Sequence, residues 1–152
     1  EELNNKLASS NVDLKSFSDD IYLRLNAGSL QPVLNTLLSL KDEGVWLEIT
    51  NLVVPSWTDD MDMIKRMCGW LVSNGFKGTP LHFSRFHPSY KLTQLPPTPV
   101  NILKNAREIA LKEGLEHVYI GNVPGGDAEN TICPKCGKTV IERRGFAIIE
   151  KN

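Results

Sequence analysis

The sequence predicts an α/β fold with parallel strands, and three observations carry that prediction. Short apolar runs with period two alternate with longer stripes of period about 3.6. Glycine follows each longer stripe, as at Gly44, Gly75 and Gly114, where helices commonly stop. A final stretch around Cys133 and Cys136 breaks this rhythm and reads as a separate small unit. Strand, helix, strand repeated in this way is the pattern of βα units. The expected division is residues 1–128 for the βα part and 129–152 for a Cys-knuckle hairpin.

Residues 1–8 read as the tail of a helix, with Leu3 and Leu7 four apart. Residues 11–15 read as a first strand, which puts Asp13 and Lys15 on one face. Ser18 is positioned to cap a short helix, with Asp19 and Asp20 at the positive end of its dipole. Pro32 suits the first turn of the next helix, whose stripe is Val33, Leu34, Leu37 and Leu38.

Residues 45–50 form the second strand, with Val45, Leu47 and Ile49 on one face and Trp46, Glu48 and Thr50 on the other. The apolar run continues to Pro55, so the spacing leaves its end open. Thr58, Asp59 and Asp60 are expected to open a helix reaching Gly75, with Met61, Ile64, Cys68, Leu71 and Val72 as its apolar stripe. Asp59, Asp60 and Asp62 read as a solvated helix start, and Met61, Met63 and Met67 as packing.

The third strand covers residues 81–84 and runs into Arg85, Phe86 and His87. After a proline-rich loop, Thr98 is the expected cap of a helix beginning at Pro99, with Ile102, Leu103, Ala106, Ile109 and Ala110 facing inward. Residues 117–121 are the fourth strand. In such sheets active sites gather at the carboxyl ends of the strands. That places Asp13 and Lys15, Glu48 and Thr50, His82 to His87, and Gly121 with Asn122 at one end.

Composition excludes several classes. Seventeen Lys and Arg stand against 18 Asp and Glu, so the net charge is −1, without the basic excess of an electrostatic nucleic-acid binder. No apolar run approaches the roughly 20 residues needed to cross a bilayer. Three cysteines do not make a secreted disulfide framework, so a cytoplasmic, reducing setting is expected.

Cys133 and Cys136, in Cys-Pro-Lys-Cys-Gly, suit one edge of a tetrahedral zinc or iron site, although a closed site takes four ligands. A reduced or disulfide-forming pair is the plain alternative. Cys68 belongs to a buried stripe. His82, Arg85 and His87 at one strand end suit an anion or carboxylate. A Ser84 hydrolase is the poorest reading, because no Gly-x-Ser-x-Gly elbow exists. Residues 121–126 lack the Walker and Rossmann glycine patterns.

Five segments occur in order: Asn11-Val12-Asp13-Leu14-Lys15-Ser16-Phe17, Val45-Trp46-Leu47-Glu48-Ile49-Thr50, Pro80-Leu81-His82-Phe83-Ser84-Arg85-Phe86-His87-Pro88, Val118-Tyr119-Ile120-Gly121-Asn122-Val123-Pro124-Gly125 and Cys133-Pro134-Lys135-Cys136-Gly137. Together they span nearly the whole chain. The set resembles the C-terminal part of radical SAM enzymes related to pyruvate formate-lyase activating enzyme, and within them the AmmeMemoRadiSam-system branch. The resemblance implies the C-terminal part of a partial TIM barrel, S-adenosylmethionine and a [4Fe–4S] cluster. It implies hydrogen abstraction by a 5′-deoxyadenosyl radical, from a glycine of a partner enzyme or from a small molecule, and an electron donor such as flavodoxin. The family's Asp-x-Lys strand motif falls on Asp13 and Lys15, which would hold the methionyl part of the cofactor, and its rim histidine on His87. The family's Cys-x3-Cys-x2-Cys motif is absent. The chain is therefore expected to be a portion lacking the cluster-binding part, inactive alone, with the edge of its first strand open to dimerisation. The alternative is a small α/β protein-interaction module that docks through a zinc knuckle.

Overall fold

Four parallel strands lie side by side in the order in which the chain makes them: β1 (Ser9–Asp13), β2 (Trp46–Val53), β3 (Leu81–Arg85) and β4 (Val118–Gly121). The computed structural model describes residues 7–123, 125, 127–145 and 147–152. Four helices join the strands: α1 (Asp19–Asn26) and α2 (Leu30–Asp42) between β1 and β2, α3 (Met61–Ser73) before β3, and α4 (Val100–Glu113) before β4. A second, antiparallel sheet follows, made of β5 (Thr131–Ile132), β6 (Thr139–Arg144) and β7 (Ala147–Lys151). The predicted α/β class and parallel pairing are thus observed. The parallel strands form an open sheet, with β1 and β4 at its edges.

Helices α2, α3 and α4 cover one face of that sheet. Alternation on β2 sends Leu47, Ile49, Asn51 and Val53 to this face. Leu81, Phe83, Val118 and Ile120 join them from β3 and β4, and Leu37, Met67, Leu71, Leu103 and Ala106 meet them from the helices. Burying such side chains supplies the main drive for folding. The opposite face carries Trp46, Glu48, Thr50, His82 and Tyr119, none of them fully buried. The asymmetry leaves one face of the sheet for chemistry.

Several local expectations are corrected. The helix expected over residues 1–8 falls largely on residues 1–6, outside those described, and Leu7 and Ala8 are not helical. The first strand begins two residues early and ends at Asp13. Its last ladder contact is Leu14 N–H to Thr50 O at 2.9 Å, and the Lys15 N–H turns to the Tyr22 hydroxyl instead. Ser18 is the N-cap of α1 but makes no side-chain cap bond. The Asp19 carboxylate accepts from Leu30 N–H at the start of α2, where no acidic residue sits in the first turn.

Thr58 does not open α3. Asp60 caps it, accepting from the N–H groups of Asp62 and Met63. The Thr58 hydroxyl closes the preceding loop, donating to Leu52 O and accepting from Val54 N–H. Thr98 likewise does not cap α4, whose N-cap is Pro99. Its fully buried hydroxyl accepts from Phe86 N–H at 3.0 Å and donates to Val53 O. Both threonines satisfy strand-end backbone groups that would otherwise be buried unpaired.

Candidate functional site

The register fixes the layout of the open face. Asp13 pairs with Thr50, Thr50 with His82, and His82 with Tyr119, so four polar side chains form one row across all four strands. Parallel strands in register bring equivalent positions side by side, and every second residue returns to the same face. One row down, Thr50 Oγ1 donates to Asn11 Oδ1 at 3.1 Å. One row up, Ser84 stands opposite Gly121. A Cβ on Gly121 would lie 3.1 Å from Ser84 Oγ, so glycine lets the two strands carry a hydroxyl there without crowding.

At the carboxyl end of β1, Lys15 Nζ and Asp13 Oδ2 form an ion pair at 2.9 Å. The Asp13 side chain is about half exposed and that of Lys15 about one-third. Asn51, buried on the helix side of β2, fixes its backbone by donating to Leu14 O at 2.7 Å and to Lys15 O at 3.3 Å. Asn51 Oδ1 has no hydrogen-bond partner among the described residues.

A cleft of about 1100 Å³ lies over the β2 to β4 side of the same face. Trp46, Glu48, His82 and Tyr119 line its floor, and Arg85, His87, Asn122 and Arg143 its rim. His82 stacks on Tyr119 with ring centroids 5.1 Å apart, and its Nε2 is 3.3 Å from Glu48 Oε2. Nε2 makes no aligned hydrogen bond among the described residues, and the contact is an ion pair only when His82 is protonated. Burial pushes the His82 imidazolium toward its neutral form; Glu48 opposes this and Arg143 reinforces it. Arg143 comes from β6, lies over the Tyr119 ring at 5.9 Å and donates to Thr131, which also meets the Tyr119 hydroxyl at 3.0 Å. The small sheet is thereby held against β4.

Asn122 takes a left-handed φ of 61° directly after β4, a conformation asparagine tolerates better than most residues. Its amide donates to Arg85 O at 3.2 Å, linking the ends of β3 and β4. Arg85 itself is anchored through Nε to Thr98 O at 2.9 Å.

These observations place the sequence-predicted residues in three groups. Asp13 and Lys15 come together as an ion pair. His87 lies in the cleft beside Arg85, away from that pair's end of the row. Cys133 and Cys136 lie in the turn between β5 and β6, outside the cleft lining. Among the described residues no hydrogen bond joins Ser84 to His82 or His87, which leaves the hydrolase reading without its relay. Tyr119 and Arg143 were not singled out from sequence. Tyr119 was recoverable from alternation, since it faces away from Val118 and Ile120. Nothing in the local sequence marks Arg143 as a partner of a strand 24 residues earlier.

The fold has a known counterpart. It is similar to that of a domain of pyruvate-formate lyase-activating enzyme from Bacteroides vulgatus, with a TM-score of 0.70, 15% identity, and coverage of 80% of this chain and 71% of that one. At that identity the likeness establishes the fold. An uncharacterized protein of Methanocaldococcus jannaschii is 48% identical over 136 residues, 90% of this chain. The chain spans 40% of that relative's length. No family model matches the chain.

Two groups implied by the resemblance can be tested against the donors present. A [4Fe–4S] cluster is held by thiolates. Cys68 is fully buried in α3, its thiol pushed up to about 12 by burial and then by Glu113. No cluster of three or more His, Cys, Asp or Glu able to hold a metal exists among the described residues. The chain's own cysteines do not fit that cluster. The Lys15 and Asp13 pair offers one cation and one anion, charges complementary to the carboxylate and ammonium of an α-amino-acid group.

Proposed function

We propose that this chain is the C-terminal barrel portion, residues 1–128, and knuckle appendage, residues 129–152, of a radical SAM enzyme related to pyruvate formate-lyase activating enzyme. Its own part is to hold S-adenosylmethionine against the open face of the sheet. Lys15 would receive the cofactor's carboxylate and Asp13 its ammonium, with His87 at the rim as a polar partner for the remainder. When bound, the cofactor supplies a sulfonium whose reductive cleavage gives a 5′-deoxyadenosyl radical. The hydrogen donor in this reading is a glycine of a partner enzyme or a small molecule, and the electron comes from a flavodoxin-like donor. The cluster ligands lie outside residues 1–152, so this chain alone binds without cleaving. The surroundings are cytoplasmic in this reading; among the described residues no helix is long and apolar enough to cross a membrane.

The observation that carries the proposal is the 2.9 Å Lys15–Asp13 ion pair at a strand's carboxyl end, in a sheet whose fold resembles an activating-enzyme domain. Calorimetry with S-adenosylmethionine tests it. Saturable binding is expected, weakened roughly tenfold or more in Lys15→Met, since a charge-assisted hydrogen bond contributes about 1.5–3 kcal/mol. Absence of saturable binding, or unchanged wild-type affinity in both Lys15→Met and Asp13→Asn, would overturn it.

A further inference from the structure

The turn between β5 and β6 carries two of the three cysteines, Cys133 and Cys136. Cys133 N–H donates to Lys138 O at 2.8 Å, and Gly137 N–H donates back to Cys133 O at 2.9 Å. The second bond requires the chain to reverse at Gly137, whose φ of 71° is the left-handed region that favours glycine. This tight closure turns the N–H groups of Cys136 and Lys135 toward the Cys133 sulfur. The Cys136 side chain lies beside that sulfur. Hydrogen bonds to a sulfur favour the thiolate, the form that binds metals. Cys136 is exposed and Cys133 half-buried, so both sulfurs are accessible. Lys135 and Lys138 flank them and offset the charge of two thiolates. The frame is firm: β6 pairs along β7, and Asn152 N–H closes on Val140 O at 2.8 Å.

We propose that Cys133 and Cys136 are one half of a four-thiolate zinc site, completed by a second pair of thiolates from another polypeptide segment. Zinc prefers four tetrahedral ligands, with sulfur favoured in structural sites. Cys68 cannot supply a third donor, being fully buried on the inner side of α3. Binding replaces each S–H bond by a sulfur–zinc bond and releases two protons per chain to solvent. The inference stands apart from the proposed cofactor role, since the turn does not line the cleft.

Titrating the reduced chain with Co2+ as a spectroscopic substitute for Zn2+, while following mass by light scattering, tests the proposal and its two sources of donors. An endpoint of one ion per two chains, with tetrahedral thiolate absorption and conversion to a dimer, identifies a second copy as the source. An endpoint of one ion per monomer that takes up two equivalents of 2-mercaptoethanol to reach the same absorption also supports a half-site, filled by a different segment. Cys133→Ser and Cys136→Ser should each lose the absorption, and Cys68→Ser should keep it. Circular dichroism will show whether the variants remain folded. Co2+ binding by the reduced chain no tighter than by the Cys133→Ser chain, or a spectrum without sulfur-to-metal charge transfer, overturns the proposal.

Discussion

His82 Nε2 stands 3.3 Å from Glu48 Oε2 while the imidazole ring lies stacked on Tyr119. The two residues are not register partners; His82 pairs with Thr50, and Glu48 with Asn11. The contact is diagonal, made across one face of neighbouring strands. It leaves a half-buried imidazole between a carboxylate and an aromatic ring, with the Arg143 guanidinium beyond.

That arrangement predicts an acid-sensitive fold. Burial is the largest influence on His82 and depresses its pKa below the ordinary 6.5, outweighing Glu48. The unfolded chain then takes up a proton before the folded chain does. Stability therefore rises with pH wherever the unfolded state holds more protons, and this contribution is lost as pH falls through about 6.5 toward the lower folded value. Thermal melts at pH 7.5 and 5.5 should show a lower midpoint at the acidic pH. His82→Gln should flatten that part of the slope. An unchanged slope in the variant would mean that other groups carry it.

Thr98 offers a test of how β3 and α4 are held. Its hydroxyl joins Val53 and Phe86, the residues closing β2 and following β3. Thr98→Val keeps the shape but leaves a buried N–H and a buried carbonyl unpaired, a cost of about 1–3 kcal/mol. Thr98→Ser should recover most of it. Urea denaturation measures both. A loss in Thr98→Ser with none in Thr98→Val would shift the cause from the hydroxyl to the methyl group.

Much of the fold follows from local rules. Leu34 and Leu37, Ile64 and Leu71, and Leu103 and Ala106 are buried at helical spacing, as their periodicity predicts. Leu47 and Ile49 alternate as a strand should, and the buried face continues to Val53, resolving the open end of β2. The misassigned threonines show where local rules stop. Thr58 and Thr98 each precede a helix and match a cap signature, but their hydroxyls answer buried backbone groups at strand ends. For Thr98 one of those groups is 45 positions away in sequence. The candidate site divides in the same way. Asp13 and Lys15 stand two apart in sequence and meet as an ion pair, although β1 ends at Asp13 and Lys15 lies beyond the strand. The cleft needs Arg143 from β6 over Tyr119 of β4, a tertiary contact with no local signature.

Asn51 ties the fold to the proposed cofactor site. It is essentially buried and donates to Leu14 O and Lys15 O, setting where the Asp13–Lys15 pair leaves the sheet. Asn51→Leu fills similar volume but leaves the Leu14 carbonyl without that donor, costing about 1–3 kcal/mol in urea denaturation. S-adenosylmethionine affinity should fall as well, although Asn51 lies on the other face of the sheet. A variant that loses stability and keeps full affinity would show that the ion pair is positioned without it.

The three cysteines should differ sharply toward a thiol reagent, because the thiolate is the nucleophile. Cys68 has no exposed surface, and burial followed by Glu113 pushes its thiol up to about 12. At pH 7.5 it is overwhelmingly protonated and inaccessible. Cys133 lies below the usual thiol range because the Cys136 and Lys135 N–H groups point at its sulfur, and Cys136 is exposed. Ellman's reagent at pH 7.5 should therefore give two fast equivalents in the native, metal-free, reduced chain and a third only in denaturant. Cys133→Ser should remove one fast equivalent, and Cys68→Ser should remove only the slow one. Zn2+ added beforehand should suppress the fast pair while leaving the slow phase unchanged. Three equivalents reacting together in the native chain would contradict the burial of Cys68. A fast pair indifferent to Zn2+ would count against the metal half-site while leaving the order of thiol reactivity intact.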